Sequence, residues 1–155
     1  MAKKNIGATL ALYPSPVIVV GAMVNGKPTW TLVAHAGTVA HSHLMVSLVQ
    51  AHYINKGIRE NGKLSVNVVD ESWLKQADKM GTISGSKVDK SGMFAWTMGE
   101  NGAPLIDGSR LGLIPNALVV IIERQSVHAI VFLIIMGKSD DHIVARLHIL
   151  LGRLP

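Results

Sequence analysis

Asn25-Gly26 is the feature that most limits the fold. Asn and Gly both tolerate the positive φ values of a two-residue β-hairpin turn, and the dipeptide stands between two runs suited to strands. Val17 to Met23 is β-branched and small apolar throughout, and Thr29 to His35 is rich in Thr, Val and Trp. The chain therefore opens with an antiparallel pair. Leu44 to Val49 and Leu64 to Val69 alternate well enough for a third and a fourth strand. Between them, Tyr53 to Asn61 has helical spacing and stops at Asn61-Gly62, where Gly can adopt the left-handed cap. A second short helix is expected after Asp70, an N-cap, with Trp73, Leu74 and Ala77 on one face and an end at Gly81. Thr82 to Gly92, rich in Ser, Gly and Lys, is expected to form a loop. Later strands run over Leu118 to Ile122 and Val127 to Ile135, joined through the polar turn Glu123-Arg124-Gln125-Ser126. The expected fold class is mainly β with short helices (α+β), antiparallel and barrel-like.

Composition narrows the function classes. A chain of 155 residues, 48% apolar, suits one domain, residues 1–155, with a real core. With no Cys, disulfide staples, Cys-ligated zinc, iron–sulfur clusters and thiol catalysis are all excluded. The longest near-pure apolar run, Val127 to Met136, is half of what a membrane-spanning helix needs and contains His128, so a buried strand is expected and no membrane partner. Met-Ala-Lys-Lys-Asn has a basic start but no apolar segment after it, which points to no signal peptide and a cytoplasmic protein. The net charge is +5, yet Lys and Arg are scattered and the only adjacent basic pair is Lys3-Lys4. The expectation is no nucleic-acid partner and a mild attraction for anions such as phosphates.

Longer stretches carry a family resemblance. Asn5-Ile-Gly-Ala-Thr-Leu-Ala-Leu-Tyr-Pro-Ser-Pro-Val17 and Val20-Gly-Ala-Met-Val-Asn-Gly-Lys-Pro-Thr-Trp30 resemble the start of the flavin reductase-like, flavoredoxin-type proteins. The likeness continues through Ala51-His-Tyr-Ile-Asn-Lys-Gly-Ile-Arg-Glu-Asn61, Leu64-Ser-Val-Asn67, Ser84-Gly-Ser-Lys-Val-Asp-Lys90 and Gly99-Glu-Asn-Gly-Ala-Pro-Leu-Ile-Asp107, all in family order. The resemblance implies an FMN-binding split barrel, Greek-key-like and homodimeric, with the flavin near the subunit interface. It also implies an oxidoreductase that passes electrons from NADH or NADPH through FMN to a flavin, a ferric complex or a protein acceptor. The chemistry then belongs to the cofactor, so no catalytic side chain is expected. Without Cys, electrons would leave the flavin directly for the acceptor.

The residues suit such a cofactor in their own chemistry. Phosphate favours a helix N-terminus with side-chain donors nearby, and Ala51 to Asn55 is a strand end turning into a helix, with His52, Tyr53 and Asn55 at the start and Lys56 and Arg59 beyond. The isoalloxazine favours a flat apolar slot lined by backbone amides, which Trp30, Thr31, Leu32, Val33, Ala34 and His35 beside a turn at Gly37 would supply, together with Ser47 and Leu48 of the next strand. The resemblance implies that the loop with Ser84, Gly85 and Lys90 closes over the phosphate or the flavin edge, with Lys87 as a further cation. His35, His41, His43 and His52 lie close in sequence, but no Asp, Glu or Cys falls between His35 and His52, so no metal site is expected. Trp30, Trp73 and Trp96 are expected in the core or at a dimer contact rather than as a stacking platform.

Two departures from the family pattern stand out. Ile54 occupies a position where family members commonly carry Thr, which removes one neutral hydrogen bond worth about 1 kcal/mol. After Arg110 the resemblance fades. Residues 112–155 contain one aromatic, Phe132, and three acids, Glu123, Asp140 and Asp141, with Ala145-Arg-Leu-His148 as a faint echo. An altered reading frame would produce such an atypical tail, and an incomplete barrel wall is expected there. Two other readings stay open: a flavin-binding carrier or sensor without turnover, and a cofactor-free structural remnant.

Overall fold

The structure, a computed structural model, describes residues 5, 14–40, 43–109, 112–113, 116–124 and 127–135. β1 (Ile18–Val24) and β2 (Lys27–Val33) form the expected hairpin, paired from Ile18↔Val33 to Val24↔Lys27. Asn25 and Gly26 both have positive φ, 50° and 76°, the backbone of a type I′ turn. β2 ends at Val33, so Ala34 and His35 lie beyond it and are exposed, and the next strand is one that the residue pattern did not suggest, β3 (Ala36–Ala40). Gly37 is therefore a strand residue, not a turn. β4 (His43–Val49) leads through a short turn into α1 (Ile54–Asn61), which stops at Gly62 with φ 64°. β5 (Ser65–Val68) follows. Asp70 then accepts a hydrogen bond from Ser72 N at 3.0 Å and caps a 3-10 turn, Glu71–Trp73, that runs into α2 (Leu74–Thr82). Leu74 departs from expectation: it is 52% exposed, and Trp73, Ala77 and Met80 form the inward face instead. The helix also runs one residue past Gly81.

β6 (Trp96–Met98) and β7 (Pro104–Ile106) make a small ladder. β8 (Gly112–Leu113), β9 (Asn116–Arg124) and β10 (Val127–Ile135) complete two four-stranded antiparallel sheets, ordered β2-β1-β5-β8 and β3-β4-β10-β9. This is the mainly antiparallel α+β split barrel expected. β10 pairs with β4 from Ala129↔Val49 to Ile135↔His43. Ala145 to His148 and His41 lie outside the described residues.

Alternation along β1 sends its side chains to two different layers. Ile18, Val20 and Ala22 join Val33, Val46, Leu48, Ile58, Leu64 and others in an aliphatic core between the sheets and α1. Val19 faces the other way, into a core with Trp30, Trp73, Met80 and Phe94 under α2. Ser65 and Asn67 carry a buried polar ladder between them: Ser65 Oγ donates to the Pro104 carbonyl, Asn67 Nδ2 to the Val19 carbonyl at 3.1 Å, and Ile106 N to Asn67 Oδ1 at 3.0 Å. Those bonds moor β7 to the main sheet. No helix among the described residues is long and apolar enough to cross a membrane.

Candidate functional site

β2 is the edge strand of its sheet, and a cleft of about 270 Å³ lies along it where the two layers meet. Thr29, Trp30 and Thr31 form its floor, residues 51–54 at the entry to α1 form one wall, and residues 81–85 with Lys90 form the other. An exposed strand edge presents unpaired backbone groups. Here a lysine covers it. Lys90 is 4% exposed, and its Nζ donates to the Trp30 carbonyl at 2.8 Å and the Met80 carbonyl at 3.0 Å. It has no third acceptor and no carboxylate partner among the described residues. An ammonium has three donors, so one remains unused beside the cleft. Burial holds the Lys90 pKa below the ordinary lysine value.

The neighbouring residue fixes this placement. Asp89 accepts from Lys27 Nζ at 2.7 Å through Oδ2 and from Ser91 N at 2.9 Å through Oδ1, which pins the loop to the β1–β2 turn. The hydrogen bond and charge of Lys27, with the bonds to Ser91, hold the Asp89 carboxyl far below the usual carboxylate range. Upstream, the Ser84 carbonyl accepts from Lys87 N and Val88 N, both at 3.0 Å, and the Ser84 and Ser86 hydroxyls share a 2.8 Å bond. Gly85 passes so close to Thr29 and Tyr53 that a Cβ would stand 2.8 Å from Thr29 Oγ1 and from Tyr53 Cδ1, so any larger residue would push the loop away.

The opposite wall is short of partners. α1 starts without a side-chain cap and with no acid in its first turn. His52 Nδ1, Asn55 Oδ1 and Trp30 Nε1 are buried atoms with no hydrogen-bond partner. Burial, and then the positive charge of Lys90, lower the His52 pKa, so the imidazole is neutral near pH 7. Asn55 has a different role from the expected donor. Its Nδ2 donates to the carbonyls of Val49 and Gln50 at 2.9 and 3.1 Å, which locks the end of β4 into the turn that precedes α1. A cation with no carboxylate partner among the described residues, a helix start without a side-chain cap and the orphaned His52 Nδ1 suit an anionic ligand with hydrogen-bonding edges.

Seven of the expected site residues line the cleft: Trp30, Thr31, His52, Tyr53, Ser84, Gly85 and Lys90. The others do not. Val33 and Leu48 are buried in the aliphatic core, Leu32 packs against the aromatic one, and Ser47 N donates to the His35 carbonyl at 2.8 Å. Ile54 is at the wall, but its side chain belongs to the aliphatic core and is 2% exposed. Lys87 lines the neighbouring cavity rather than this one. Sequence reasoning missed Thr29, Thr82 and Ile83. Thr29 was within reach, since it shares a strand face with Thr31 two residues on.

Comparison with known proteins gives the fold a family. The sequence model of the flavin reductase like domain matches residues 10–130. The chain belongs to the flavin reductase-like family. Membership places it among flavin-related oxidoreductases. A search of the curated proteins finds no match. Among solved structures, flavoredoxin from Methanosarcina acetivorans is similar at 32% identity and a TM-score of 0.79, over 89% of this chain and 74% of that one. Flavoredoxin of Desulfovibrio vulgaris (Miyazaki F) is similar at 25% identity and a TM-score of 0.69, over 91% and 78%. An FMN-binding protein from Thermus thermophilus has the same fold at 17% identity and a TM-score of 0.74, over 89% and 76%.

Proposed function

We propose that the cleft binds FMN and that the chain passes electrons from a reduced nicotinamide nucleotide, NADH or NADPH, to a flavin, ferric or protein acceptor. The observation that carries this reading is Lys90, a buried ammonium with one donor unused and no carboxylate partner among the described residues, on a wall opposite the start of α1, which has no side-chain cap. A buried charge without a partner is costly, and a bound anion would relieve that cost. Lys90 and the α1 start would hold the phosphate. His52, neutral with Nδ1 free, would meet a polar edge of the ligand. The loop at Ser84 and Gly85 would exclude water from one side. Bound there, FMN supplies hydride acceptance and electron release.

Ala34 and His35, exposed beyond the end of β2, take part in this reading only through a second copy of the chain, so the proposed assembly is a homodimer. Light scattering on the purified protein tests it, with a monomer as the contrary result. For the function, FMN titration followed by quenching of flavin fluorescence is expected to show one site per chain, and NADH or NADPH is expected to bleach the bound flavin. A protein that holds no FMN overturns the reading. One that holds FMN unbleached by either nucleotide is a carrier or sensor, a reading favoured by Ile54, whose side chain is turned into the core.

A further inference from the structure

Asp89 and Lys90 are consecutive, yet one side chain lies at the surface and the other inside. The two carbonyls that Lys90 Nζ reaches belong to different elements, Trp30 to β2 and Met80 to α2. Asp89 stays out, with more than half of its side chain exposed. The donor that Lys90 leaves for the cleft is therefore aimed only while the backbone between these two side chains keeps one conformation.

Asp89 makes two kinds of contact, and they differ in worth. Oδ2 meets Lys27 Nζ at 2.7 Å, and both side chains of that pair are largely in solvent. Such a pair is screened and costs side-chain entropy, so it contributes little. Oδ1 accepts from Ser91 N at 2.9 Å. That bond closes an Asx turn with Lys90 at its centre. A second turn follows at once, since Met93 N donates to the Lys90 carbonyl at 3.1 Å and Phe94 then enters the aromatic core. Lys90 thus sits at the junction of two turns, the first of them closed by a single side-chain oxygen.

We infer that Asp89 is a positioning residue for the cleft, acting through the turn that it closes over Lys90 rather than through its ion pair with Lys27. This rests on the reading of the cleft as a flavin site in which Lys90 meets the phosphate. Three substitutions separate the two contacts. Asp89→Asn keeps an oxygen for Ser91 N and discards the charge that Lys27 meets. Lys27→Met removes the pair and leaves the turn. Asp89→Ala removes both.

Two readouts test the assignment. Trinitrobenzenesulfonate labelling of the full chain without flavin, followed by peptide mass spectrometry, compares Lys90 with the exposed Lys79 of the same molecule. In Asp89→Ala, Lys90 is expected to react roughly tenfold faster than in the native chain, because loss of the turn opens its amine to solvent more often. In Asp89→Asn and Lys27→Met the change stays within about twofold, as fits one exposed ion pair. FMN affinity, read by fluorescence titration, is expected to fall in the same order, about tenfold for Asp89→Ala and about twofold or less for the other two. Unchanged Lys90 labelling in Asp89→Ala overturns the inference. So does an Asp89→Asn or Lys27→Met protein that labels like Asp89→Ala, since the ion pair would then hold the loop. Faster labelling in Asp89→Ala with FMN affinity unchanged also overturns it, by leaving the turn no part in the site. A native chain that binds no FMN loses the flavin reading alone, while the labelling still decides whether Asp89 positions Lys90.

Discussion

The two cores of this molecule are built from different materials. Between the sheets every member is aliphatic: Ile18, Val20, Ala22, Val33, Val46, Leu48, Ile54, Ile58, Leu64 and Val66. Under α2, Trp30, Trp73 and Phe94 meet edge to face, with ring centroids 5.6 and 5.4 Å apart, beside Val19, Ala77, Met80 and Ile106. Aliphatic side chains fill a barrel without polar atoms to satisfy. The aromatic core has another task, because its elements set the cleft: Met80 and Trp30 supply the carbonyls that hold Lys90, and Phe94 follows that loop four residues later. The aliphatic core thus carries the barrel, and the aromatic core carries the site.

Truncation in each core sets up the sharpest contrast. Phe94→Ala and Ile58→Ala are each expected to cost about 2–5 kcal/mol of stability, the usual range for buried large-to-small changes. Urea denaturation measures that loss. Their effects on FMN should differ: below the unfolding transition Ile58→Ala keeps its affinity, while Phe94→Ala weakens it several-fold as the Lys90 loop loosens. Equal FMN affinities in the two variants would break the division of labour.

Lys90→Met asks about the seam between the cores. One charge-assisted hydrogen bond is lost, worth about 1.5–3 kcal/mol, so FMN affinity is expected to fall roughly ten- to a hundredfold. Fluorescence titration reads it directly. Lys90→Arg should not rescue binding, because a planar guanidinium cannot replace the compact ammonium between the Trp30 and Met80 carbonyls. Unchanged affinity in Lys90→Met removes the residue from the site.

Legibility in the sequence followed the same division. The hairpin at Asn25-Gly26, the stop of α1 at Gly62 and the pairing segments of β9 and β10 were readable because local backbone preference and periodicity decide them. β3, β6 and β7 were not, since strands of five and three residues are too short to show a period. Leu74 misled because Trp73, Ala77 and Met80 keep the i, i+4, i+7 spacing of the inward face, which leaves Leu74, one residue round from Trp73, on the flank. In the site, His52 and Lys90 could be named from residue type and family pattern. That Lys90 would be buried against two carbonyls, and Asn55 turned back onto β4, depended on tertiary contacts with residues as far as 60 positions away. Val33 and Leu48 turn their side chains into the aliphatic core, a placement set by packing between the two sheets and not by strand parity, since Val33 shares the parity of Thr29 and Thr31.

The smallest expected effect separates the cores by pH. No titratable side chain belongs to the aliphatic core, so acid acts on the seam, where burial and then the charge of Lys90 lower the His52 pKa from 6.5. A histidine with a lowered value binds fewer protons folded than unfolded. Stability rises with pH wherever the unfolded chain holds more protons, so the His52 contribution is a loss that sets in as pH falls through the unfolded value near 6.5 and is absent above it. Urea midpoints measured on either side of that value should therefore drop on the acid side, and His52→Gln, which removes the proton, should reduce the drop. The variant isolates the share of this one imidazole from the other histidines. A steeper acid loss in His52→Gln than in the native chain would show that His52 gains rather than loses a proton on folding. That result would mean an acceptor already meets Nδ1, leaving the cleft with one fewer open position for a ligand.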